Sequence, residues 1–142
     1  MAATRKYTQV LWSGGDTHTL AVDGEQTSDV ITFQDHAIGA SIGLKADNQG
    51  TPDADSTVEF YLGVGVGDID ASTHVADEYP GDAGSDEKAE MIHLATLNCN
   101  DNDPARRWVS LPLPGKNAKL YIFSNDPDNT HICSAKICEV LS

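Results

Sequence analysis

Apolar and polar residues alternate along much of this chain, in short runs separated by turn chemistry. The clearest run is Thr57 to Val66, where Val58, Phe60, Leu62, Val64 and Val66 take every second position. Thr57, Glu59, Tyr61, Gly63 and Gly65 lie between them, so the segment reads as a strand with one core face and one polar face. Gly63 and Gly65 weaken an isolated strand and point to a bend or to close approach by another chain. Ile38 to Ala46 puts Ile38, Ala40, Ile42 and Leu44 on one parity, and so on one face.

Further strands are predicted at Tyr7 to Trp12, Thr17 to Val22, Asp29 to Phe33, Met91 to Leu97, Arg107 to Leu113, Lys119 to Phe123 and His131 to Leu141. The first two flank Ser13-Gly14-Gly15-Asp16 and read as a hairpin, closed by Asp23-Gly24. Pro112, Pro114 and Gly115 force another turn, as does Asn125-Asp126-Pro127-Asp128-Asn129. The result is an all-β chain of about eight or nine strands, a jelly-roll-like antiparallel β-sandwich forming one domain over residues 1–142. Residues 67–90 break the alternation. Asp68, Asp70, Asp77, Glu78, Asp82, Asp86, Glu87 and Glu90 face one base, Lys88, which predicts a long acidic loop with a helical turn near Asp86 to Met91.

Composition narrows the function classes. Nine Lys plus Arg against 22 Asp plus Glu give a net charge of −13, which repels phosphate backbones and argues against a nucleic-acid partner. No apolar run approaches the ~20 residues of a membrane span, so no membrane partner is expected. The start, MAATRKYTQV, lacks the apolar stretch of a signal peptide, and the expectation is synthesis in the cytoplasm. Cys99, Cys133 and Cys138 show no metal-type spacing. Buried or half-buried free thiols are the default, with a bridge from Cys99 to one of the C-terminal pair as the alternative. Cys133 and Cys138, five apart, face opposite sides of a regular strand.

The sequence holds no recognisable reactive motif. Asp53-Ala54-Asp55 and Asp68-Ile69-Asp70 begin like calcium loops but lack the later Gly and Glu that the geometry needs. The five histidines, at 18, 36, 74, 93 and 131, stand singly. Ser13-Gly14-Gly15 is no nucleophile elbow, and Cys99 sits among acids that raise its pKa. Paired carboxylates from distant strands are possible in any acidic chain and so carry little information. The expectation is a binding or assembly protein with no catalytic residue, no metal and no cofactor.

The candidate contacts are aromatic or basic. Trp108, two positions before Ser110, is read as core, while the pattern leaves Trp12 between core and interface. Residues 1–6 form an arm without acids on an acidic body, and Thr4, Arg5, Lys6 and Tyr7 together with Trp12 are the candidate partner contacts.

A short acidic all-β chain with the segments Val109-Ser110-Leu111-Pro112 and Lys119-Leu120-Tyr121-Ile122-Phe123-Ser124-Asn125 resembles the small virion proteins of tailed bacteriophages, and among them the capsid decoration, or cement, proteins. The resemblance implies a structural virion protein on the capsid surface, a dimer or trimer that bridges and stabilises major capsid protein subunits. It carries no diagnostic motif and transfers no site residue. A carbohydrate-binding β-sandwich, stand-alone or as a virion adhesin, using Trp12 or exposed Tyr residues is the alternative, and a tail or baseplate component is a further one.

Overall fold

The computed structural model describes residues 4–65, 88, 91–112 and 117–142. Among them the chain forms β1 (Thr4–Gln9), β2 (His18–Leu20), β3 (Glu25–Thr27), β4 (Ile31–Thr32), β5 (Ala37–Asn48), β6 (Thr57–Val64), β7 (Ile92–Asn98), β8 (Ala105–Pro112), β9 (Asn117–Ser124) and β10 (His131–Leu141).

Two of the short pairs are single strands interrupted. β1 and β2 lie end to end along β10, Thr4–Gln9 against Leu141–Lys136 and His18–Leu20 against Cys133–His131. β3 and β4 lie end to end along β9 in the same way. The segments therefore make two antiparallel sheets of four strand lines each, β1/β2–β10–β5–β8 and β3/β4–β9–β6–β7. Apart from these two interruptions, the chain crosses between sheets at each connection except β6 to β7, which pair directly. Two sheets wound in this order form a jelly roll, as the alternation predicts.

The core lies between the sheets. The first sheet contributes small side chains, Ala40, Ala46, Cys133 and Ala135, around Ile42, Leu44 and Ile137. The second answers with Val58, Phe60, Leu62, Leu120 and Ile122. Small residues opposite large ones let the layers interdigitate, and each large apolar side chain so buried contributes about 1.5–3 kcal/mol.

The structure corrects several expectations. Tyr7 to Trp12 and Thr17 to Val22 do not pair as a hairpin, because both find their partner in β10. The turn between them is real but local: Trp12 and Gly15 exchange backbone hydrogen bonds of 2.8 and 2.9 Å around Ser13 and Gly14, at φ 47° and 81°. Asp29 ties that turn down, its carboxylate accepting from both Ser13 N–H and Gly14 N–H. Ile38 is 60% exposed despite its parity. A register shift between Val140 and Leu141 leaves it without a partner on β10 and ends the alternation there.

The outer face of β6 is not simply polar. Tyr61 packs there with Tyr121, Phe123 and Met91 in a second apolar cluster. A Cβ on Gly63 would collide with the Tyr121 ring, so the close approach is made by this chain's own tyrosine. Residues 4–6, expected in a free arm, form the first half of β1, while residues 1–3 lie outside the described residues. The acidic loop and helical turn predicted over residues 67–90 also lie outside them, apart from Lys88.

Candidate functional site: one face and one edge of the first sheet

The structure overturns the core reading of Trp108 and resolves Trp12 the other way. Trp12 is 3% exposed and belongs to the core, which removes it from the candidate contacts. Trp108 is 60% exposed on β8. Its parity with Arg106 and Ser110 is the outward one, because Ala105, Val109 and Leu111 take the inner face.

Cross-strand register builds the outer face of this sheet in rows. One row runs Gln9–Lys136–Gly43–Trp108, and the next runs Ser134–Lys45–Arg106. Toward the other end lie Tyr7 beside Cys138 and Arg5 beside Val140. Four of the chain's nine basic residues, Arg5, Lys45, Arg106 and Lys136, thus share one face of a protein with net charge −13. Tyr7 adds a phenol 69% exposed, and its contact with the Cys138 thiol raises the phenol pKa above the usual value. Between β10, β5 and β8 the face dips into a depression of about 330 Å³ bounded by Trp108.

β1 is also the edge of the sheet, paired with β10 alone. Thr4, Arg5, Lys6 and Tyr7 are all exposed along it. Val10 N–H donates to the Ala135 carbonyl of β10, so by alternation the N–H groups of Tyr7 and Arg5 point away from β10. The edge therefore presents unpaired backbone donors between basic and aromatic side chains.

The remaining polar clusters are closed. In the second sheet Glu59 accepts from Lys88 Nζ at 2.8 Å, Tyr61 O–H at 3.0 Å and Asn125 Nδ2 at 3.2 Å. Burial pushes its pKa up, but these three donors outweigh it and hold the carboxyl below its usual range. Lys88 sits 4.5 Å from the Phe123 ring centroid. Asp126 and His131, which sequence spacing did not connect, form a buried pair at 2.8 Å. A signal was present in the Asn125 to Asn129 turn, where an Asp accepts N–H bonds two and three residues on.

Cys99 and Cys133 are pushed up to about 11 and about 12 by burial, and all three cysteines are free and buried, as the default reading expected. Cys133 faces the core and Cys138 lies under the outer face. Among the described residues no Ser or Cys side chain is hydrogen-bonded to a histidine, and His93 meets only the Thr96 hydroxyl, at the surface. Among those residues there is no cluster suited to a metal, and no helix long and apolar enough to cross a membrane. Asp53 spends its carboxylate on Asp55 N–H and the Ser56 hydroxyl, and Asp68 and Asp70 lie outside the described residues.

No protein-family model matches the sequence, and no curated protein does. Three solved structures illustrate what the chain is similar to in shape. One is a family GH115 4-O-methyl-α-glucuronidase with specificity for decorated arabinogalactans, at 14% identity and TM-score 0.43, over 94% of this chain and 16% of that one. Another is an exo-β-1,3-galactanase from Phanerochaete chrysosporium, at 12% and 0.40, over 97% and 29%. A third is the VP2 protein of infectious bursal disease virus, at 10% and 0.17, over 96% and 40%. This chain spans less than half the length of each, and none of these three superpositions reaches a TM-score of 0.5.

Proposed function

We propose that this protein is a structural virion component that attaches to the outside of a capsid through its β1 edge and stabilises the shell by bridging major capsid protein subunits. The observation that carries the reading is the edge itself: Thr4 to Tyr7 are exposed, basic and aromatic, with backbone donors aimed away from β10. Such an edge accepts a strand from a neighbour, the main chain supplying affinity and the alternate side chains selecting the partner. Arg5 and Lys6 orient the acidic body, so that the molecule docks by its basic side and keeps its negative bulk outward.

The mechanism is mass action. A protein that binds only across assembled subunit boundaries lowers the free energy of the assembled state relative to its parts. Six residues of strand bury far less than the ~800 Å² per partner of a standard interface, so one edge binds weakly. Association of copies as a dimer or trimer multiplies it through effective concentration.

The test is cosedimentation with expanded shells of the phage whose genome encodes the chain. Tyr7→Pro removes an outward N–H without touching the β10 ladder, and an Arg5→Glu, Lys6→Glu double variant reverses the edge charge. Both are expected to lose shell occupancy while melting like the parent. Full occupancy by both would sink the edge reading, and absence of binding by the parent would sink the capsid reading as a whole.

A further inference from the structure

We infer that the outer face of the first sheet carries a subsite for a carboxylate-bearing sugar, built on Trp108. Trp108 is the cross-strand partner of Gly43. A Cβ placed on Gly43 would lie 2.8 Å from both Cζ2 and Cη2 of the indole, so the ring rests on bare backbone where any other residue would hold it off. One ring face is used on the sheet and the side chain is still 60% exposed. An aromatic face laid flat and open to water suits the C–H face of a pyranose, which is apolar on one side and ringed by hydroxyls.

Packing of Trp on Gly would by itself account for the ring's position, since aromatic residues commonly cover a cross-strand glycine. It does not account for the charges around it. Arg106 is two residues away on the same strand face, roughly 7 Å along β8. Lys45 pairs with Arg106, and Lys136 pairs with Gly43 from the other side. Among the described residues none of these three cations has an ion-pair partner. Ser134 places a hydroxyl in the same row as Lys45 and Arg106. Lys45, Arg106, Trp108, Ser134 and Lys136 line one depression of about 330 Å³, at the small end of ligand pockets and suited to one or two sugar rings.

The division of labour follows from the chemistry. The indole takes the sugar ring, Arg106 offers a planar fork to the carboxylate, and the two lysines add point charges. A long polyanion such as nucleic acid meets the repulsion of a −13 body beyond this patch, whereas a short acidic oligosaccharide does not. β8 is the sheet edge opposite β1, so the subsite stays open when β1 is engaged and stands independently of the capsid reading.

The experiment uses the full chain and tetragalacturonate as probe, with maltotetraose as its neutral counterpart and a tetraglutamate peptide as the acidic non-sugar. Trp108 fluorescence reports occupancy wherever the indole is kept, because Trp12 is buried, and isothermal titration calorimetry reads every variant including Trp108→Ala. Tetragalacturonate is expected to quench with a Kd of about 1 mM or tighter, and raised salt is expected to weaken it. Trp108→Ala, Arg106→Gln and Gly43→Ala, which keeps the indole but lifts it, are each expected to weaken binding about tenfold or more with melting unchanged. Arg5→Glu is expected to leave it intact. No response to about 10 mM tetragalacturonate would overturn the proposal. So would equal binding by tetraglutamate, which would assign the face to an acidic protein, or unchanged affinity in all three variants.

Discussion

Nε2 of His131 lies 2.8 Å from Oδ2 of Asp126, and neither side chain is exposed at all. The aspartate also accepts Asp128 N–H and Asn129 N–H on its other oxygen, at 2.9 and 3.1 Å. One carboxylate thus shapes the β9–β10 turn and anchors the first residue of β10. Nε2 of His131 is engaged by this carboxylate, and Nδ1 is left buried without a hydrogen-bond partner.

Removing the carboxylate strands that histidine and two backbone donors. Asp126→Ala is expected to cost about 3–5 kcal/mol by urea denaturation, the penalty of breaking a buried pair from one side. A loss below about 1 kcal/mol would show that the pair is not holding the turn.

Acid is expected to destabilise the protein through the same group. Burial raises the Asp126 pKa, but bonds from Asp128 N–H, His131 and Asn129 N–H outweigh it and leave the carboxyl below its ordinary 3.8. Glu59 is likewise held below its ordinary 4.5. A depressed carboxyl contributes stability that is complete above the unfolded pKa and is lost as pH falls through the folded one. The urea midpoint is therefore expected to fall below about pH 4, and less steeply in Asp126→Asn.

The two tryptophans separate packing from binding. Trp12→Ala opens the core and is expected to cost about 3–5 kcal/mol. Trp108→Ala, at the surface, is expected to cost under about 1 kcal/mol. Thermal melting of both variants reads the contrast, and equal losses would contradict the burial of one and exposure of the other.

The thiols are expected to be silent. With Cys99 near 11 and Cys133 near 12, neither is thiolate at about pH 8, and both are buried. A disulfide-exchange reagent is expected to leave both unmodified in the native protein and to titrate every thiol in denaturant. Rapid native labelling of Cys99 or Cys133 would refute the packing around them.

Alternation alone carried the fold a long way. Val58, Phe60 and Leu62 announce β6, Ala40, Ile42 and Leu44 announce β5, and the turn residues between them permit little but an antiparallel sandwich. A period of two reports which residues share a face, because successive side chains point to opposite sides of a strand. It is silent about which strand lies alongside. That is why β1 and β2 read as a hairpin although both pair with β10, more than a hundred residues away.

The same silence hid the site. Composition announced an acidic chain with few bases, and the N-terminal bases were visible as an exception. Nothing local says that Lys45, Arg106 and Lys136, from three distant segments, fall in adjacent rows, or that Trp108 rests on Gly43. Nor does it say which tryptophan goes inside, since each has an alternating neighbourhood and burial is settled by whichever sheet closes over it. Sequence determined most of the strands, which of their residues share a face, and the net charge, because those follow from neighbours along the chain. Tertiary structure alone decided the pairing, the exposed tryptophan and the gathering of positive charge, because those are set by backbone hydrogen bonds between residues that only folding brings together.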